Sequence, residues 1–226
     1  MFLHTSPEFA LKRVLASGLP RVYSISPCFR EEEWGPMHTT EFTMVEWYRT
    51  GCGYREVMED TVELIRVAAA SLSVDISGIT ALSYAEAYLM HAKMAPPTDS
   101  VERQRIWVQE VEGRLEGVTV VYDYPADEAA FSEVRGSVCE RFEVFWNGVE
   151  LANAFTELLD ASELEERWNE CNEQRKNAGR VEYPVDLRLL DAVGKHPRTG
   201  GVALGLDRLL FVLLGLEDIR ETQVLG

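Results

Sequence analysis

The chain has 226 residues, 46% of them apolar and 27% charged, ordinary proportions for a soluble globular protein. Its 22 basic side chains stand against 38 acidic ones, a net charge of −16, which argues against a tRNA partner because nucleic-acid binders draw much of their affinity from neutralising phosphates. The longest apolar run, Val202 to Leu214, is broken by Asp207 and Arg208 and falls short of the roughly 18 residues that cross a bilayer. With no basic-then-apolar leader either, a cytoplasmic protein without a membrane partner is expected.

In chain order, Ser6-Pro7-Glu8 reads as a helix start, with Ser6 as N-cap and Gly18 ending the helix. Arg21 to Arg30 and Glu41 to Thr50 read as an antiparallel hairpin with a long polar tip around Gly35 and Pro36. Helical patterning covers 54–74, 83–93 and 100–113, and Val118 to Tyr122 reads as a strand. A second hairpin spans 140–147 and 149–155 and turns at Asn147-Gly148. Helices near 162–178 and 184–193 precede Gly200 to Arg208, a glycine-rich strand running into an apolar helix. Hairpins with interspersed helices imply an α+β fold around an antiparallel sheet, in one domain over residues 1–226. The widely spaced Cys28, Cys52, Cys139 and Cys171 form no C-x-x-C pair, so reduced, mostly buried thiols are expected rather than a zinc site.

Three clusters carry chemistry. Strand alternation places Phe42, Met44, Glu46 and Tyr48 on one face. A carboxylate and a phenol among large apolar groups are costly to bury unless a cation or hydrogen-bonding group meets them; on these residues alone a solvated polar face stays open. Glu143 and Glu150 flank the Asn147-Gly148 turn, with Asn153 and Glu157 beyond. Two carboxylates brought together repel unless a proton or divalent cation lies between them, and one or two carboxylates plus substrate phosphates is how Mg²⁺ is usually held. An exposed acidic hairpin is the alternative. In Gly200 to Arg208, small residues allow close approach to a ligand and Arg208 suits a phosphate or a base; tight strand–helix packing would equally use the glycines.

The run F-R-x-E … H-x-x-E-F-x-M-x-E-W-Y, residues 29–48, resembles motif 2 of the class II aminoacyl-tRNA synthetases. G-V-A-L-G-L-D-R-L, from Gly201, resembles motif 3. With T-S-P-E at the start and E-L-A-N-A-F-x-E from Glu150 to Glu157, the chain is similar to the lysyl branch, and within it to the elongation factor P–lysine ligases. That resemblance implies a class II catalytic domain that uses ATP and Mg²⁺ to activate lysine or (R)-β-lysine for transfer to elongation factor P. It implies Arg30 and Arg208 as catalytic residues, and Glu32, His38, Phe42, Glu150 and Gly205 with those arginines around ATP. Glu143 and Glu150 would hold Mg²⁺, while Ser6, Glu8, Glu46, Tyr48, Asn153, Glu157 and Ala203 would surround the amino acid. A diammonium substrate suits an acidic pocket on charge grounds, as a neutral amino acid does not.

The family pattern is departed from at Glu31, Pro36 and Thr39, where Asn, Arg and Asn are common. Motif 1 and an anticodon-binding barrel are not recognised in these residues. Motif 1 builds the homodimer interface of the superfamily, so either the chain is a truncated form or its homodimer is altered. Ala203 stands where lysyl-tRNA synthetases usually carry Gly, as in the protein-modifying branch. Two other readings remain: a ligase acting on tRNA or a small acceptor, and a non-catalytic ATP- or lysine-binding paralogue.

Overall fold

The structure is a computed structural model and describes residues 3–31, 35–76 and 78–223. Its frame is an eight-stranded sheet. Strands β1 (Arg21–Phe29), β2 (Glu41–Thr50), β8 (Thr199–Gly205), β7 (Val149–Thr156), β6 (Val138–Trp146), β4 (Val118–Pro125) and β3 (Ile79–Ser83) follow one another across it, and β5 (Val134–Arg135) pairs with β6. Every pairing is antiparallel except β3 with β4, so the α+β expectation holds with one parallel edge. Both predicted hairpins form. The second turns on Asn147 (φ 49°) and Gly148 (φ 79°), the two consecutive positive φ angles that a tight hairpin turn needs and that Asn-Gly supplies.

Strand alternation divides the sheet into two faces with different chemistry. Val45, Trp47, Val144, Ala152, Ala154, Val202 and Leu204 turn to one side, where they pack with Val57, Ile65 and Ala69 of α2 (Tyr54–Ser71) and Leu209 and Leu213 of α7 (Leu206–Leu214). A second apolar cluster joins α3 (Tyr84–His91) to the sheet edge, with Tyr84 stacked on Trp107 at 4.7 Å. A third, built on Leu164, Trp168 and Leu189, seats α5 (Ala161–Asn177) and α6 (Leu187–Ala192). Cys28, Cys52 and Cys139 are buried free thiols, and Cys171 is exposed. Among the described residues no helix is long and apolar enough to cross a membrane.

Three local readings need correction. Pro7, not Ser6, caps α1 (Glu8–Leu15); the Ser6 hydroxyl accepts the Glu8 N–H at 2.9 Å and donates to Glu46 at 2.6 Å, so a buried tertiary partner has claimed it. The 100–113 helix is α-helical only in α4 (Ser100–Ile106), then widens to a π turn over Trp107–Val111 and tightens to a 3₁₀ turn over Glu112–Arg114. Strand β3 was not anticipated: with Thr80, Ala81 and Ser83 it lacks an apolar alternation, and pairing with β4 defines it.

Candidate active site

The face of the sheet opposite α2 and α7 forms the floor of a cavity of ≈ 250 Å³. Cross-strand register explains which side chains meet there, because antiparallel partners project from the same face. Glu46 pairs with Ala203, Ala203 with Asn153 and Asn153 with Glu143. One step along, Tyr48 pairs with Gly201 and Gly201 with Phe155. All of these except Glu143 line the cavity, and Met44 and Gly205 extend the floor.

At one end lie the acids. Glu46 is 1% exposed, with Oε1 accepting the Ser6 hydroxyl at 2.6 Å and Oε2 the Tyr48 hydroxyl at 3.1 Å. Glu157, just beyond β7, is also 1% exposed, and Glu8 opens the first turn of α1. Burial pushes the Glu46 carboxyl up to about 7, with Ser6 opposing and Glu8 adding to the rise. Burial likewise raises Glu157 to about 8 against the pull of Lys12, with Glu8 and Glu46 adding to it. The Tyr48 phenol is held well above its ordinary value by burial and these carboxylates. An empty pocket therefore retains protons near neutrality, and a cation entering it would displace them. Glu8, Glu46 and Glu157, 149 positions apart at the extremes, share one cavity.

The other end is basic and aromatic. Arg30 lies over the Phe42 ring at 5.1 Å. Arg208, in the first turn of α7, donates to the Glu150 carbonyl at 2.9 Å and to His38 Nε2 at 2.5 Å, with the Glu150 carboxylate 3.5 Å away. The buried Asp207 carboxylate accepts the Thr43 N–H at 2.5 Å, tying the start of α7 to β2. Ser6, Asn153, Ala203, Gly205 and the other predicted residues named here line the same cavity; Glu32 lies outside the described residues.

Glu143 sits behind the cavity wall. Its oxygens accept from the Tyr124 hydroxyl at 2.6 Å and from Arg141 at 2.5 Å. Burial raises it to about 7, opposed by Arg141 and reinforced by Glu150. The two glutamates thus feel each other but stand in different rows: Glu150 pairs with Phe145, and a bulge separates that pair from Val144. Among the described residues no three His, Cys, Asp or Glu side chains form a ready metal cluster. A donor set of one or two carboxylates, completed by substrate phosphates, is still what Mg²⁺ ordinarily takes.

The glycines of β8 serve packing as well as access. A β-carbon on Gly200 would stand 2.6 Å from the Gly53 carbonyl, whereas one on Gly205 meets only Arg208 at 3.7 Å. Only the second faces free space.

The family model for tRNA synthetases class II (D, K and N) matches residues 1–226. The chain belongs to this class II tRNA synthetase family. Its relatives include the elongation factor P–(R)-beta-lysine ligase of Proteus mirabilis, 36% identical over 251 aligned positions, 98% of this chain and 76% of the relative. The namesake proteins of Salmonella typhi and an Enterobacter species are 34% and 32% identical with the same coverage. The class II sheet accounts for the order in which the resembling segments meet: motif 2 on β1 and β2, motif 3 on β8 and α7, and the E-L-A-N run on β7 between them and β6.

Sequence reasoning missed Lys12, Phe155, Ile219 and Asp207. Ile219 lines the cavity from the C-terminal 3₁₀ turn, whose N–H donates to the Pro36 carbonyl at 3.0 Å. Lys12 had one legible signal, the i, i+4 spacing from Glu8, which also describes any solvated helix pair.

Proposed function

We propose that this class II protein is an ATP-dependent ligase that activates lysine or (R)-β-lysine as its adenylate and passes the acyl group to elongation factor P. The observation that carries the reading is the meeting of Glu8, Glu46 and Glu157 in a cavity that also holds Arg30, Phe42 and Arg208. Three largely buried carboxylates at one end suit a substrate with two ammonium groups. A guanidinium and an aromatic ring at the other suit a nucleotide. The names of relatives, elongation factor P–(R)-beta-lysine ligases, support this class of amino acid and this acceptor protein.

Charge placement and the roles that the class II resemblance implies together suggest the chemistry. Glu8, Glu46, Tyr48 and Glu157 hold the two ammonium groups, Asn153 helps place the amino acid, and Ala203 narrows the floor between them. Arg30 draws the amino-acid carboxylate and the α-phosphate together; a carboxylate oxygen forms a bond to the α-phosphorus as the bond to the β-phosphate oxygen breaks and pyrophosphate leaves. Phe42 and Arg208 sandwich the adenine, Glu32 reads its amino group, Gly205 admits the nucleotide, and His38 with Arg208 meets the outer phosphates. Glu150, backed by Glu143, would hold Mg²⁺, which supplies phosphate charge neutralisation when bound. The acceptor amine then attacks the acyl carbon, AMP departs and the amine loses a proton. No protein nucleophile is needed; positioning and electrostatics suffice.

Exchange of labelled pyrophosphate into ATP, dependent on lysine or (R)-β-lysine, tests the first step, and mass spectrometry of elongation factor P tests the second. Absence of exchange with both amino acids rejects the reading.

A further inference from the structure

Lys12 has no part in the reaction just described, yet it lies among the acids of the amino-acid end. It is 5% exposed, in the second turn of α1. Its ammonium is 2.6 Å from Glu8 Oε1 and 2.5 Å from Glu157 Oε2, with the Phe131 and Phe155 rings at 5.4 and 5.6 Å. Both oxygens of Glu157 are buried with no hydrogen-bond partner among the described residues, and the Lys12 ion pair goes to Oε2, leaving Oε1. Oε1 lies 2.1 Å from where a β-carbon on Gly201 would be, at the cavity floor.

A buried ammonium is a poor means of stabilising a fold, since desolvation offsets most of the attraction to its partners. Here the neighbours Glu8, Glu46 and Glu157 bring three carboxylates to one end of a small cavity. Once an entering cation has displaced their protons, one ammonium among the three leaves two negative charges, the number that a diamino acid neutralises. Burial disfavours the charged lysine, but Glu157 and Glu8 reverse that and hold its pKa above the ordinary value.

We infer that Lys12 is a positioning residue for the amino acid: it engages one oxygen each of Glu8 and Glu157, sets the pocket at two negative charges and leaves Glu157 Oε1 for a substrate ammonium. This rests on the reading that the cavity takes a diamino acid. The titratable groups facing Lys12 are Glu8 from α1, Glu46 and Tyr48 from β2, Glu157 beyond β7 and His196 before β8.

The test is pyrophosphate exchange by wild type and Lys12→Met between pH 6.5 and 9. The variant should raise KM for the amino acid at least about 30-fold, equivalent to about 2 kcal/mol, as expected when a buried charge pair loses one partner. KM for ATP should stay unchanged, and the fall of amino-acid KM with rising pH should move to higher pH, because Glu157 must ionise unaided. An unmoved amino-acid KM, or equal rises for both substrates, overturns the role of Lys12 while leaving the ligase reading standing. Wild type that exchanges with neither amino acid overturns both. Should the variant not fold, the Lys12 ¹⁵Nζ resonance of the wild-type protein decides. It should shift on saturation with lysine and not with ATP; a resonance indifferent to lysine overturns the inference.

Discussion

Gly201 gives up the space that Glu157 fills: a β-carbon there would collide with Glu157 Oε1 and stand 2.5 Å from the Tyr48 ring. One hydrogen atom as a side chain thus lets a buried carboxylate and a phenol meet at the cavity floor. Gly201→Ala should displace both, destabilising the protein by about 1–3 kcal/mol, the usual cost of overfilling a packed site. It should weaken amino-acid binding as well. Thermal denaturation and calorimetric titration with lysine read the two effects; a variant of wild-type stability would refute this packing.

Glu157→Gln removes charge from the amino-acid end without removing volume. Loss of a charged hydrogen-bonding partner should weaken lysine binding by about 1.5–3 kcal/mol and leave ATP binding unaltered. Equilibrium dialysis with each ligand separates the outcomes. Equal weakening of both would place Glu157 outside the amino-acid pocket.

Arg208→Ala is the complementary change. It removes the guanidinium bonded to the Glu150 carbonyl and His38 at the other end of the cavity. ATP affinity should fall at least about 10-fold, the equivalent of about 1.4 kcal/mol, with lysine binding in the absence of nucleotide retained. Loss of lysine binding without ATP present would mean that Arg208 shapes the whole cavity.

Glu46 and Glu143, raised to about 7, and Glu157, raised to about 8, all bind protons more tightly folded than unfolded. Their contribution is complete below the unfolded carboxylate value near 4.5 and is lost as pH rises through these folded values. The ligand-free protein should therefore lose thermal stability between about pH 5 and 8, and the Tm increment from lysine should grow over the same interval. A lysine increment that does not change with pH would show that the acids do not bind the amino acid.

The residues on the floor show how far reading along the chain reaches. Alternation alone put Phe42, Met44, Glu46 and Tyr48 together, because the period of a strand is local and strict. Asn147-Gly148 announced its hairpin for the same reason: two positive φ angles are a local demand. The motifs in order then pointed to the class II family, to which the chain belongs. What a local rule cannot convey is which distant group claims a side chain. Ser6 looked like a helix cap and instead bonds Glu46, 40 positions away. Glu143 and Glu150 flank one turn, but the bulge and Arg141 seat them differently.

By itself, then, the sequence determined the two hairpins, the polar face of β2 and the family, all of which depend on periodicity and residue type within short windows. Tertiary structure alone decided that Glu8, Glu46 and Glu157 share a cavity, that Gly201 makes room for Glu157, and that Lys12 stands between two of the acids. These are consequences of sheet order, which brings β8 between the two hairpins. Electrostatics among buried groups depends on separations of a few ångströms in space, and distance along the chain carries no record of them.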